Sequence, residues 1–204
     1  MQRLTGLILL MSALYIFIIP LLNVSTHVVV LFKIIPMVLI IIYGLNIRTK
    51  GSGVLVMIGV TVCTVADVAI AYSFIAGLVI FLIGHLFYIP AFWHARKREA
   101  NRVFAVGIII IYIVLIGFFI IRALVESGDM NMVVPVVLYI GVIGSMGITA
   151  MLTRNRLAIF GAALFIISDS FLAWNRFVEP LEPSHVLIMA TYYSAQYFIV
   201  KSRL

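Results

Sequence analysis

Four ionisable residues fall inside otherwise apolar runs: Lys33, Asp67, His85 and Asp169. A charge in the middle of a bilayer costs at least about 2.5–3.5 kcal/mol on insertion scales, so each of them calls for a compensating role. Two carboxylates in one low-dielectric site have two broad uses. The first is acid catalysis with water activation. A carboxyl group beside another carboxylate can stay protonated near neutral pH, while its partner, held ionised by Lys33 or Arg176, orients or deprotonates water. The second is proton or ion coupling in a transporter. Asp67, His85 and Asp169 could also supply three metal ligands. The chain has no HExxH pattern and no cysteine cluster, however, and its histidine sits at a different depth from the acids. A GxSxG elbow and a glycine-rich phosphate loop are likewise missing from the sequence. Ser168 and Ser170 flank Asp169, but neighbours on a helix face different directions, which makes either a poor nucleophile candidate.

The elements that must position these groups follow from composition. Of the 204 residues 65% are hydrophobic and 10% charged, where a soluble domain carries about 25% charged residues. This excludes an ordinary soluble enzyme, a nucleic-acid binder and a disordered chain, and leaves an all-α polytopic membrane protein. The one cysteine, Cys63, lies in an apolar run, so a disulfide framework within the chain is excluded. The start resembles a signal peptide, with Arg3 before an apolar run, but it lacks a small-x-small cleavage site and is read as the first span. Polar punctuation predicts eight spans, about 4–22, 28–45, 54–72, 73–93, 103–121, 132–151, 157–174 and 185–200, in a single domain, 1–204. The stretch 54–93 is twice a bilayer width and must turn back near Tyr72-Ser73.

Charge sets the direction. Arg3, Arg48, Lys50, Arg96, Lys97, Arg98, Arg102, Arg154, Arg156, Lys201 and Arg203, eleven of the fourteen basic residues, fall at the termini and in alternate loops. The opposite loops hold Arg122 and Arg176, offset by Glu126, Asp129, Glu179 and Glu182. With an even number of spans, both termini are expected in the cytoplasm, in the inner membrane if the host is bacterial. The net charge of +7 reports topology first and contact with anionic lipid head groups second. Nucleic acid is not an expected partner, because the charges sit in short loops without a recognition module. Asp67 and Asp169 are 102 residues apart, in VADVAI and ISDSFL. That spacing suggests a parallel four-helix repeat, with coincidence in a biased composition as the alternative.

Counting rise per residue from the cytoplasmic ends puts Asp67 roughly 20 Å up the third span and Asp169 roughly 18 Å up the seventh, while Lys33 is roughly 8 Å inward from the other surface. All three meet in the non-cytoplasmic half. Asn175 and Arg176 lie near the same side, and the eighth span descends from there with Thr191, Tyr192, Tyr193 and Gln196. His85 is lower, with Tyr88 on its face at i+3, and Tyr192 and Gln196 pair at i,i+4. Each residue also has a plainer reading. Lys33 could snorkel outward, the aspartates could form a structural pair, and His85 could be a satisfied core histidine. The tyrosines could pack at an interface, and Asn175-Arg176 could simply end a helix. Gly77 in 77–81 and the glycines in 141–147 are assigned to close helix crossings, and Pro36 and Pro90 to bends.

GHLFYIPAF at 84–92, GAALFIISDSFLAWNRF at 161–177 and TYYSAQYFIV at 191–200 resemble the YhhN/TMEM86 family of lysoplasmalogenase-like membrane proteins. The similarity runs in order through most of the chain, with Lys33 before Pro36 and Asp67 in the third span. One departure is Ala66 before Asp67, where members often have glycine. The resemblance implies an eight-helix enzyme that hydrolyses the vinyl ether bond of a lysoplasmalogen, giving a fatty aldehyde and glycerophosphoethanolamine or glycerophosphocholine. It implies site residues Lys33, Asp67, His85, Tyr88, Asp169, Asn175, Arg176, Tyr192 and Gln196. Asp169 is expected to donate the proton and Asp67 to orient water, or the reverse. Lys33 and Arg176 are expected to receive the head-group phosphate, and His85, Tyr88, Tyr192 and Gln196 to hydrogen-bond the acids or glycerol oxygens. No organic cofactor is required by that mechanism. The rival readings are a small lipid or proton-coupled transporter and a non-catalytic lipid-binding protein.

Overall fold

The computed structural model describes residues 1–47, 51–97 and 102–202. Arg48, Lys50, Arg98 and Arg203, used above for topology, lie outside the described residues. The chain is all-α. Helix α1 (Gln2–Ala13) widens into a π-helical turn (Leu14–Ile18) and closes with a 3-10 turn (Ile19–Leu21) at Pro20, which has no N–H to donate. Then follow α2 (Thr26–Asn46), α3 (Ser52–Ala69), α4 (Phe74–His94), α5 (Val103–Ser127), α6 (Met130–Leu152), α7 (Arg156–Phe177) and α8 (Ser184–Lys201). α1 with its continuation and α2 to α7 are each long and apolar enough to cross a membrane. The protein is an integral membrane protein.

α8 departs from this pattern for a physical reason. It carries Thr191, Tyr192, Tyr193 and Gln196, and it packs against α7, α2 and α3 rather than presenting those groups to lipid. A polar stripe is tolerated at membrane depth when protein covers it. α5 is the opposite case. It is apolar all round, packs on α6 and α7, and leaves Ile111, Val114 and Phe118 outward. It also runs past the expected end at 121, because Arg122 and Glu126, one turn apart, pair at 2.7 Å and continue the helix.

The turn between the third and fourth spans falls where the sequence predicts. α3 ends at Ala69, and the Ser73 hydroxyl accepts from the Ala76 N–H at 3.3 Å to cap α4. These two helices pack closely because their contacts are small. A Cβ on Gly77 would stand 2.6 Å from the Ile70 backbone, and one on Gly84 would stand 2.6 Å from the Cys63 sulfur. In 141–147 the packing assignment holds at Gly144 and Gly147, which meet Ile113 and Ile166, but Gly141 faces open space. α2 and α4 remain single helices through Pro36 and Pro90.

Packing partners repeat along the chain. α1–α2, α2–α3 and α3–α4 contacts correspond to α5–α6, α6–α7 and α7–α8, and α4 packs on α6 as α8 packs on α2.

Candidate active site

On the side of the bundle carrying the 22–25, 70–73 and 178–183 connections, six elements leave a cleft of about 390 Å³. Its walls include Lys33, Asp67, Asp169, Asn175, Arg176 and Tyr192, six of the nine residues expected at the site. They come from α2, α3, α7 and α8, so the depth argument brings residues far apart in sequence together.

Lys33 does not snorkel. Its Nζ lies 3.1 Å from Asp67 Oδ1, with Lys33 14% and Asp67 2% exposed. The Tyr192 hydroxyl donates to the other carboxylate oxygen, Oδ2, at 2.6 Å. Tyr193 donates to the Lys33 carbonyl at 2.7 Å, tying α8 to α2 below the ion pair. Asp67 is therefore charge-compensated and hydrogen-bonded on both oxygens, which is what a buried carboxylate needs.

Asp169 is held differently. It is half-buried, and the Tyr139 hydroxyl of α6 donates to its Oδ2. Among the described residues it has no cation partner: the ion pairs are Lys33–Asp67 and Arg122–Glu126. Arg176, which the sequence offered as a counter-charge for a carboxylate, instead lies over the Phe74 ring at 5.2 Å, exposed at the mouth of the cleft. Asn175 accepts from the Leu181 N–H at 2.9 Å, holding the loop that leads to α8.

The other three expected residues lie under the floor of the cleft. His85 is fully buried, and its Nδ1 bonds the Phe81 carbonyl of its own helix at 2.6 Å. Because a carbonyl only accepts, Nδ1 carries the proton and Nε2 is an acceptor, buried without a partner. Its ring packs edge-on against Phe165, 4.6 Å between centroids, and it does not line the cleft. His85 therefore bonds its own backbone rather than the acids it was expected to contact. Tyr88 donates to Gln196 Oε1 at 2.6 Å, so these two bond each other rather than the acids, and the Gln196 amide nitrogen is buried without a partner. Among the described residues, no group of three His, Cys, Asp or Glu side chains converges on a point where a metal could sit.

Sequence reasoning missed Tyr15, His185 and Tyr139. Tyr15 and His185 line the cleft with rings 5.2 Å apart. The π-helical turn carries Tyr15, and such widened turns often occur at functional sites. His185 Nε2 is buried without a partner. The Ser168 hydroxyl donates to the Ile188 carbonyl at 3.0 Å and joins α7 to α8. Tyr139 was within reach of the depth argument, since it lies roughly 14 Å into α6, close to the level of Asp169.

A sequence model described as the YhhN family matches residues 28–203. The chain belongs to the YhhN family. This YhhN-family chain is 32% identical over 149 residues to human lysoplasmalogenase TMEM86B, covering 72% of this chain and 62% of that protein. It is 28% identical over 177 residues to the mouse protein of the same name, covering 85% and 74%. It is 30% identical over 166 residues to human lysoplasmalogenase TMEM86A, covering 74% and 65%. The chain thus spans a little under two thirds of each human relative. No solved structure matches this YhhN-family chain.

Proposed function

We propose that the protein is a lysoplasmalogenase, hydrolysing the vinyl ether bond of alkenyl-glycerophosphoethanolamine or -choline. The observation that carries this reading is the asymmetry of the two carboxyl groups in one cleft. Asp67 is ion-paired to Lys33, and Asp169 is bonded by a tyrosine and free of any cation partner among the described residues. The matches to proteins named lysoplasmalogenase support the substrate class.

In the mechanism we infer, Asp169 gives its proton to the alkene carbon distal to the ether oxygen, leaving an oxocarbenium-like carbon beside that oxygen. Water oriented by Asp67 adds to this carbon and returns a proton to the Asp169 carboxylate. The resulting hemiacetal then collapses. Its hydroxyl loses a proton, the bond to the glycerol oxygen breaks, and that oxygen is protonated, releasing fatty aldehyde and glycerophospho-head-group. The net change is addition of one water. Arg176, at the mouth, receives the phosphate as a bidentate partner. Lys33 keeps Asp67 ionised and adds positive potential toward the head group. Asn175 fixes the rim, Tyr192 orients Asp67, and His85, Tyr88 and Gln196 act as positioning residues beneath the floor.

Both termini are proposed to be cytoplasmic, on the charge of the loops, with the cleft opening to the other face. In a bacterium this is the inner membrane. The repeated packing partners support a parallel four-helix duplication in which Asp67 and Asp169 occupy related places. The same repeat is what favours the transporter reading, which requires the two acids to become accessible alternately from the two sides of the membrane.

The test is fatty-aldehyde release by purified protein from a vinyl ether lysophospholipid, beside the saturated ether analogue, with and without chelator. Aldehyde from the vinyl ether alone is the expected result. Absence of release from folded protein, with or without added divalent metal, overturns it.

A further inference from the structure

Asp169 belongs to two cavities. One is the polar cleft. The other is an apolar slot between α4, α5, α6 and α7, which shares Phe74, Asp169 and Leu172 with the cleft. α5 supplies one whole wall through Tyr112, Ile113, Ile116, Gly117 and Ile120. The Ser170 hydroxyl in this slot is spent on the Ile166 carbonyl at 2.8 Å, and the Tyr139 hydroxyl is given to Asp169. The slot is thus apolar and shares with the cleft, lined by Lys33 and Arg176, a wall that carries the Asp169 carboxyl group.

We propose that this slot is the binding site for the hydrocarbon chain of a single-chain amphiphile, and that Gly117 sets how much chain it takes. The assignment rests on the proposed reaction. Protonating the alkene requires its distal carbon against Asp169, with the head group on one side and the alkyl chain continuing on the other. The cleft is the polar side, and the slot is the apolar continuation beyond the carboxyl. α5 suits a wall past which a chain can slip from the bilayer. It packs on α6 and α7, much of its surface faces outward, and its buried stripe is confined to Ile109, Gly117, Ile120 and Leu124. At Gly117 an added Cβ would meet only the Ile140 side chain, at 3.5 Å, an ordinary contact. A methyl group is therefore accommodated there, and a large ring fills the slot.

The test uses a saturated ether lysophosphatidylethanolamine carrying a photoactivatable diazirine part-way along its chain, with the labelled residues mapped by mass spectrometry. This probe cannot be hydrolysed, so labelling reports chain placement whether or not the protein turns over vinyl ether substrate. Label on Ile113, Ile116, Gly117 or Ile120 of α5 and on Ile140 or Ile143, suppressed by excess unlabelled lysolipid, is expected. Gly117→Phe should cut that labelling about tenfold, with Ile116→Trp serving as a second blocking variant. In the aldehyde assay Gly117→Phe should raise KM for long-chain substrate about tenfold more than for a short-chain one. Label confined to outward residues such as Val114 and Phe118, and indifferent to competitor and to both blocking variants, overturns the slot. Aldehyde release alongside that result leaves the proposed reaction standing. Slot labelling without aldehyde release overturns the reaction and keeps the chain site.

Discussion

Asp67 of α3 and Asp169 of α7 line one cleft and differ in what surrounds them. Asp67 is 2% exposed and engaged on both oxygens, by Lys33 and by Tyr192. Asp169 is half-buried, touches Tyr139, and stands between a polar cleft and an apolar slot. Buried charges persist where they are paired. An unpaired carboxyl at membrane depth is better placed to hold a proton and hand it on. On the proposed function, this contrast gives stability and water orientation to Asp67 and proton transfer to Asp169.

The largest expected effect breaks the contrast at Asp169. Asp169→Asn keeps the shape and an acceptor for Tyr139 but has no proton to give, and turnover should fall about 10²–10⁴-fold, the range for a positioned general acid. Its thermal unfolding in detergent should match the parent. Asp67→Asn should do the reverse in stability. It strands the Lys33 ammonium, and removing one partner of a buried pair costs about 3–5 kcal/mol. A lowered unfolding midpoint that is largely restored by adding Lys33→Gln would sharpen the distinction, and equal stability of the two Asn variants would erase it. Tyr139→Phe comes next. Losing one hydrogen bond of about 1 kcal/mol should slow turnover roughly fivefold with KM unchanged. The smallest effect belongs to the mouth. Arg176→Gln should raise KM a few-fold for a phosphate-bearing lysolipid and leave kcat alone, measured against a vinyl ether glycerol lacking phosphate.

Helices α1 to α7 were legible because an apolar run of membrane length has few alternatives, and the turn at Tyr72-Ser73 followed from length alone. The Lys33–Asp67 pairing was legible as matching depth. Azimuth was not. Rise per residue places a side chain along a helix but says little about which neighbour it meets. Tyr88 and Gln196 therefore bond each other, and His85 turns to its own backbone. Tyr139 and His185 went unnoticed because a lone tyrosine or a histidine at a helix start reads as an interfacial residue. Arg176 was read by charge, but a partner at the surface can be an aromatic face as readily as an acid.

The central claim is that a carboxyl proton is delivered to carbon by Asp169. Hydrolysis of a vinyl ether lysolipid in heavy water, with the aldehyde reduced to alcohol as it forms, reads that step by mass. The account predicts one deuterium on the carbon next to the former carbonyl, formed by the parent and by Tyr139→Phe at their different rates and lost with turnover in Asp169→Asn. Aldehyde formed without deuterium at that carbon, or formed at the parent rate by Asp169→Asn, would contradict it.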